Sequence, residues 1–369
     1  MKITFPHMGN VYIATKGFFE ELGQEVVLPP ICSRRTLEIG TKHSPETICL
    51  PLKIMIGNFI ESIEQGGDTI LLTGSCGPCR FGFYSVLEKS ILEDMGYNVD
   101  FIVFDPIYEG LKPLKDNIIK TFKVESVKEL IQAGKLGWDL IKTADYITEL
   151  SNKVRAYAID SYQVDLVMND YLKQVEETYG GKEMMDLMNR TIIKLNKIEV
   201  DKSKKPIKIG LIGEIYTVIE PFVNLEVERK LGHMGVLVEK SLTPTIWVEH
   251  HVAKFPFGSK TENEKYKLAK PYLDTLIGGH GRETIGSAIY YANKGFDGVI
   301  QLLPLNCMPE IVAKSILSTV SKDLNFPIMT LILDEMTGEA GYMTRLEAFV
   351  DLLKRRREES SVGKILHGY

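Results

Sequence analysis

Apolar and polar positions change period along the chain. Short apolar runs at residues 2–6, 25–28, 69–72 and 98–104 read as strands bounded by turn residues. Between them, residues 12–22, 51–65 and 81–95 carry apolar side chains at helical spacing, and the second of these stops at Gly66-Gly67, a helix-ending signal. Residues 36–42 are short and polar and show neither pattern. Strands alternating with helices predict a parallel sheet with helices on both faces.

The character shifts over residues 115–197, which contain no proline and run in long helical periodicity, as in VKELIQAGKLGWDLIKTADYITEL. About four helices are expected there, packed beside the first sheet or bridging two units. Asp201-Lys202-Ser203-Lys204-Lys205-Pro206 is then a polar linker. After it the alternation resumes, with strands expected at 208–212, 237–240, 298–303 and 328–333 and helices at 221–234, 263–277, 282–294, 311–324 and 341–357. The expected fold class is α/β: two flavodoxin- or Rossmann-like doubly wound parallel-sheet domains, residues 1–113 and 206–369, with a helical block at 114–200 between them. A chain of 369 residues is long enough for two cores.

The composition, 44% hydrophobic and 25% charged, is that of an ordinary globular protein. A net charge of −5 offers no general basic field, so nucleic acid is not an expected partner. The dense basic run Lys354-Arg355-Arg356-Arg357 is followed at once by Glu358-Glu359 and reads as the solvated end of the last helix. Met1 leads straight into a strand-like segment and the apolar runs fall short of a membrane span, so a cytoplasmic protein is expected. Five cysteines in such a compartment point to metal or redox use rather than disulfides.

Three of those cysteines share a pattern. Cys49 precedes Leu50-Pro51, Cys76 precedes Gly77-Pro78 and Cys307 precedes Met308-Pro309, each ahead of an expected helix. Proline is favoured in a first helical turn, so each cysteine is expected at a helix N-terminus. There the unpaired amides and the dipole would favour thiolate. The two α/β units repeat this arrangement: GGDTILLTGSCGPC and GFDGVIQLLPLNCMP both run strand, turn, cysteine, proline, helix. Open α/β sheets bind ligands at the carboxyl ends of their strands, which is where these cysteines fall. Cys32, after Pro29-Pro30, has no helix signal of its own.

Three chemistries can use such thiols. A redox dithiol needs only Cys76 and Cys79, structural zinc expects a second closely spaced ligand pair, and dispersed cysteines converging on a cleft suit an iron–sulfur site. Taken singly, each cysteine is also an ordinary small buried residue. His250-His251 reads as a polar loop. Gly278-Gly279-His280-Gly281-Arg282 lacks the lysine of a phosphate loop, and His280 and Arg282 could donate protons or hydrogen bonds to a cleft. Glu214, Glu220 and Glu339 fall near expected strand ends, where a proton donor or an exposed loop carboxylate would both fit.

The segments CSRRTLEIGTKHSPETICLPLK, TGSCGPCRFGFY, GEIYTVIEPFVNLEVERKLG, GGHGRET, NCMPEIVAKSIL and DEMTGEAGYMTRLEAFVDLL resemble the acyl-CoA dehydratase activase-related (CoA-substrate-specific activase-related) proteins. These are relatives of the 2-hydroxyacyl-CoA dehydratase subunits, the benzoyl-CoA reductase subunits and the double-cubane cluster proteins. The resemblance implies an oxygen-sensitive iron–sulfur protein of anaerobes, an oxidoreductase or dehydratase-like component. It would be reduced by a separate ATP-hydrolysing activase that carries its own 4Fe–4S cluster, and would act on a small molecule. It implies Cys32, Cys49, Cys76, Cys79 and Cys307 as cluster ligands and a homodimer by analogy with the double-cubane relatives; His280, Arg282 and Glu339 stay the candidate catalytic groups on the reading of the residues themselves. Dehydratase subunits use three cysteines for a 4Fe–4S cluster and double-cubane proteins six for an 8Fe–9S cluster; five matches neither. A structural or regulatory iron–sulfur partner of a dehydratase system is the alternative, and a thiol-redox protein using Cys76 and Cys79 the third reading.

Overall fold

A computed structural model describes residues 1–74, 79–104, 111–250 and 264–366. It contains two four-stranded, all-parallel sheets. The first, β1 (Lys2–Thr4), β2 (Glu25–Val26), β3 (Thr69–Thr73) and β4 (Asp100–Phe104), has the order β2-β1-β3-β4. The second, β5 (Ile207–Gly213), β6 (Val236–Lys240), β7 (Gly298–Pro304) and β8 (Ile328–Leu333), has the order β6-β5-β7-β8. The two orders are the same, so the winding reverses between β1 and β3 in one sheet and between β5 and β7 in the other. At each reversal the carboxyl ends of the strands open a crevice.

In the first unit α1 (Val11–Glu21) follows β1, and α2 (Arg34–His43) and α3 (Leu50–Glu64) precede β3. A 3-10 turn at Arg80–Phe83 leads into α4 (Tyr84–Asp94). Four helices then separate the sheets: α5 (Leu111–Phe122), α6 (Val127–Tyr157), α7 (Tyr162–Glu177) and α8 (Gly181–Asn196). The second unit carries α9 (Ile215–Ile219), α10 (Val227–His233), α11 (Pro244–Val248), α12 (Glu264–Ala269), α13 (Gly281–Asn293), α14 (Met308–Asp323) and α15 (Glu339–Leu366).

Helix α3 is the pivot. Cys49 caps it, Pro51 occupies its first turn, and it ends just before Gly66, whose φ of +96° suits the left-handed end of a helix. Every residue from 50 to 62 is buried. Its apolar side chains Leu52, Ile54, Ile56 and Phe59 share one core with Ile70 and Leu72 of β3 and with Ile209, Leu211, Tyr216, Leu331 and Leu346 of the second unit. A helix buried all round needs neighbours on every side, and two sheets supply them. A second core packs β1 and α1 against α6, α7 and α8, while a third lies under α13 and α14. Helix α6 also packs against β6, α10 and α11, so the helical block both covers the first sheet and touches the second unit.

Several elements differ from the sequence reading, among them the short helices α9 and α11, which it did not expect. Residues 34–43 form α2, a helix with only Thr36 and Gly40 buried, so it has no apolar stripe to read. Ser33 and Thr36 form a capping box that starts it. The helix expected over 221–234 begins only after Glu226, because Leu225 and Glu226 both adopt a φ of +54°, outside any right-handed helix. The helix expected over 263–277 is α12 alone; Pro271 follows it and cannot continue the ladder, and Asn263 lies outside the described residues.

Candidate functional site

The two crevices face each other. Between them lies a cavity of about 470 Å³ that collects Cys79 from the end of β3, Glu214 from the end of β5, Cys307 and Glu310 from the turn after β7, and Gly279 and His280 from the loop before α13. Its remaining walls are largely apolar, including Phe18, Phe104, Trp138 and Trp247. Gly279 is what lets these loops meet. Its φ is +50°, and a Cβ there would lie 3.0 Å from Pro309 Cγ and 3.6 Å from Cys79 Sγ.

The Cys-x-Pro pattern works as expected on the backbone. Cys49 is the N-cap of α3 and Cys307 the N-cap of α14, both extended and both with proline in the first turn. Neither side chain makes a capping hydrogen bond, so both sulfurs remain available for other partners. Cys79 caps the 3-10 turn at Arg80–Phe83. Cys76 lies outside the described residues.

The charge state differs from the thiolate expected of helix N-termini. Burial is the largest influence on all three thiols and raises them: Cys49 upward, Cys79 to about 11, and Cys307 well above its ordinary value. Glu214 raises all three further, and Glu310 adds to the effect on Cys79 and Cys307. A helix N-terminus contributes about 1 kcal/mol, less than burial of a thiolate beside two carboxylates costs. Without a bound cation these sulfurs keep their protons. Cys49 shares a 2.6 Å hydrogen bond with the Tyr84 hydroxyl, which favours its thiolate but does not outweigh burial. Cys49 also raises both Cys79 and Cys307, so it lies near each of them.

Two carboxylates border this group. Glu214 caps α9, accepting the Tyr216 and Thr217 amides at 3.0 and 2.9 Å, and burial raises its pKa. Glu310, in the first turn of α14, accepts Thr284 Oγ1 at 2.8 Å and Gln301 Nε2 at 2.9 Å. Burial pushes it up to about 7 against these two donors, so it exchanges a proton near neutral pH.

The remaining sequence candidates are scattered. His280 caps α13 and lines the cavity, with Nε2 3.7 Å from Glu283. Arg282 is turned to the Tyr266 ring, 4.9 Å from its centroid, and to Asp274 at 3.8 Å, and is not among the cavity-lining residues. Glu339 begins α15 with its side chain 72% exposed and pairs with Lys230 at 2.7 Å. It too is absent from the cavity lining, and that solvated pair lowers its pKa, the reverse of what a proton donor needs. His250 lies 3.7 Å from Glu283, and His251 is outside the described residues.

Cys32 has a histidine and a carboxylate as neighbours. Its sulfur, His7 and Glu220 have ligand-type atoms all within 4.8 Å of one another, and all three residues are buried. Tyr216 donates its hydroxyl to the His7 carbonyl at 2.8 Å. Glu220 was legible only as a carboxylate near a strand end, and nothing in the sequence pattern marked His7. Glu310 had one signal, an acid in the turn of a helix that a cysteine begins.

Residues 7–72 match the family described as CoA enzyme activase uncharacterised domain (DUF2229). The match supports the resemblance to activase-related proteins across that stretch, which carries α1 to α3 with His7, Cys32 and Cys49. No curated protein matches the chain. Among the described residues no helix is long and apolar enough to cross a membrane.

Proposed function

We propose that the chain is an iron–sulfur component of a CoA-ester dehydratase system, with its cluster bound where the two crevices meet. The observation that carries this reading is the grouping of Cys49, Cys79 and Cys307. These are three thiols from three separate turns, two of them helix N-caps whose sulfurs make no capping bond; Cys79 and Cys307 line a largely apolar cavity. The donor set is soft and sulfur-rich and is shielded from water, which fits a thiolate-held cluster better than a hard cation. Cys76, three residues before Cys79, would complete it. Thiols that keep their protons without a cation are expected to release them on metal binding. When bound, the cluster, of the 4Fe–4S or a larger double-cubane type, would accept and release single electrons at low potential.

The protein's own groups prepare the place for that chemistry. Cys49 and Cys307 cap α3 and α14, whose N-terminal dipoles favour negative charge there. The Tyr84 hydroxyl shares a hydrogen bond with Cys49 and orients it. Glu310 can hold or release a proton at its carboxylate, next to Cys307 at the cavity edge. The apolar walls restrict water and suit a small, mostly apolar substrate. An ATP-hydrolysing activase as electron donor and a second copy of the chain as partner belong to the same proposal.

Anaerobic purification followed by iron and acid-labile sulfide analysis tests it. We expect both elements in the wild type and a large loss of both in Cys307→Ser. Absence of iron, or stoichiometric zinc on these thiols, would overturn the reading. The thiol-redox alternative has less support, because a nucleophilic dithiol needs a lowered pKa and Cys79 is raised to about 11.

A further inference from the structure

We infer that His7, Cys32 and Glu220 form a second, mononuclear metal site, taking a zinc-class divalent cation, that staples the two α/β units together. The site is independent of the cluster reading: it shares no ligand with the Cys49, Cys79 and Cys307 group.

Its ligands come from three separate segments. His7 lies in the turn after β1, Cys32 just before α2, and Glu220 just after α9 in the second unit. None is more than 6% exposed, so any charge placed here needs a local partner rather than water. Imidazole, thiolate and carboxylate are together a borderline-soft donor set, which zinc and its congeners accept. Three protein ligands leave a fourth position for one water.

The surroundings hold each ligand in place, as outer-shell groups of metal sites do. The His7 amide donates to Asn58 Oδ1 at 2.8 Å, its carbonyl accepts from Tyr216, and its ring stacks on Tyr12 at 4.7 Å. Asn58 in turn donates to the Pro30 carbonyl at 2.8 Å and fixes the approach to Cys32. The Gly9 amide reaches Glu220 Oε2 at 2.9 Å, and His7 Nδ1 lies 2.8 Å from the same oxygen. Gly9 has a φ of +50°, and a Cβ there would sit 2.3 Å from the Ile219 carbonyl oxygen, so only glycine brings that amide so close. Among the described residues the other oxygen, Oε1, receives only the Phe222 amide at a long 3.3 Å and keeps capacity for a cation. A plain hydrogen-bonded latch would use these carboxylate and imidazole groups equally well, but it gains little from a thiol, a weak hydrogen-bonding group whose strength is ligation.

Cobalt(II), added to the full chain as a spectroscopic substitute for zinc, tests the site. We expect one equivalent with a thiolate-to-cobalt charge-transfer band, and X-ray absorption at the cobalt edge showing sulfur together with imidazole and oxygen. The band should disappear in Cys32→Ser and survive in Cys307→Ser, and iron and sulfide content should be unchanged in Cys32→Ser. Retention of the band in Cys32→Ser, or its loss in Cys307→Ser instead, would overturn the inference. Should Cys32→Ser fail to fold, Glu220→Gln and the wild-type absorption spectrum decide: a cobalt shell without imidazole, or full binding by Glu220→Gln, also rejects it. Iron and sulfide analysis of the same samples reads the cluster separately.

Discussion

Glu88 of α4 is fully buried, and neither of its carboxylate oxygens has a hydrogen-bond partner among the described residues. Burial pushes its pKa well above the usual carboxylate range. Below that range the folded and unfolded chains both hold the proton, and the stability this group permits is fully present. As pH rises, the unfolded chain ionises while the folded one keeps its proton, so stability falls until pH passes the raised folded value. Glu88→Met should therefore raise the melting temperature at pH 8, by the equivalent of about 1–3 kcal/mol, and change it far less at pH 5. Thermal melts at the two values check this; an equal shift at both would show that Glu88 is not protonated in the fold. Glu310 obeys the same sign, but with two donors and a pKa near 7 it is placed to exchange its proton rather than to hold it.

At the scale of elements, the crossing of α2 and α3 depends on two glycines. A Cβ on Gly40 would lie 1.6 Å from the Lys53 carbonyl oxygen, and one on Gly57 1.9 Å from that of Thr36. Backbone cannot give way as a side-chain tip can, so the helices would have to separate. Gly40→Ala or Gly57→Ala should each cost about 2–4 kcal/mol in chemical denaturation. Gly134, within α6 and with nothing within 4 Å of its would-be Cβ, is the control: Gly134→Ala should stabilise by about 0.5–1 kcal/mol. Opposite signs are expected although all three glycines are helical. The same contact helps to account for α2, a mostly polar helix held by its cap, by close approach and by the partly buried Leu37 and Ile39.

Across the whole molecule, the helical block is tied to the second unit by a buried ionic group. Asp165 of α7 accepts Arg155 Nε of α6 at 3.1 Å, with His233 Nε2 of α10 at 2.8 Å and Arg229 at 3.6 Å. Arg155 is 5% exposed in its side chain, so removing its partner strands a buried guanidinium. Asp165→Ala should cost about 3–5 kcal/mol, read as a lowered urea midpoint. Removing Glu226, which pairs with Arg229 at the surface, should cost no more than about 1 kcal/mol. Comparable losses in the two variants would mean that the buried group does not join the units.

Local pattern in the chain determined the alternation of strands and helices, the four-helix insertion and the position of Cys49 and Cys307 at helix starts. Those features depend on residues a few positions apart: period, a proline in the first turn, a glycine at the end. Tertiary structure decided what sequence distance conceals. Burial beside Glu214 and Glu310, carboxylates from separate elements, keeps the thiols protonated where local helix ends predict thiolate. Glu339 and Arg282 look like cleft residues by position, yet they turn to Lys230 and Tyr266 because those partners lie nearer. Cys32, one of five in the sequence, is set beside His7 and Glu220, a grouping that joins residues more than 180 apart in the chain and requires the two units to dock. Charge state and ligand company depend on distances through space, and those exist only after the two sheets close on α3.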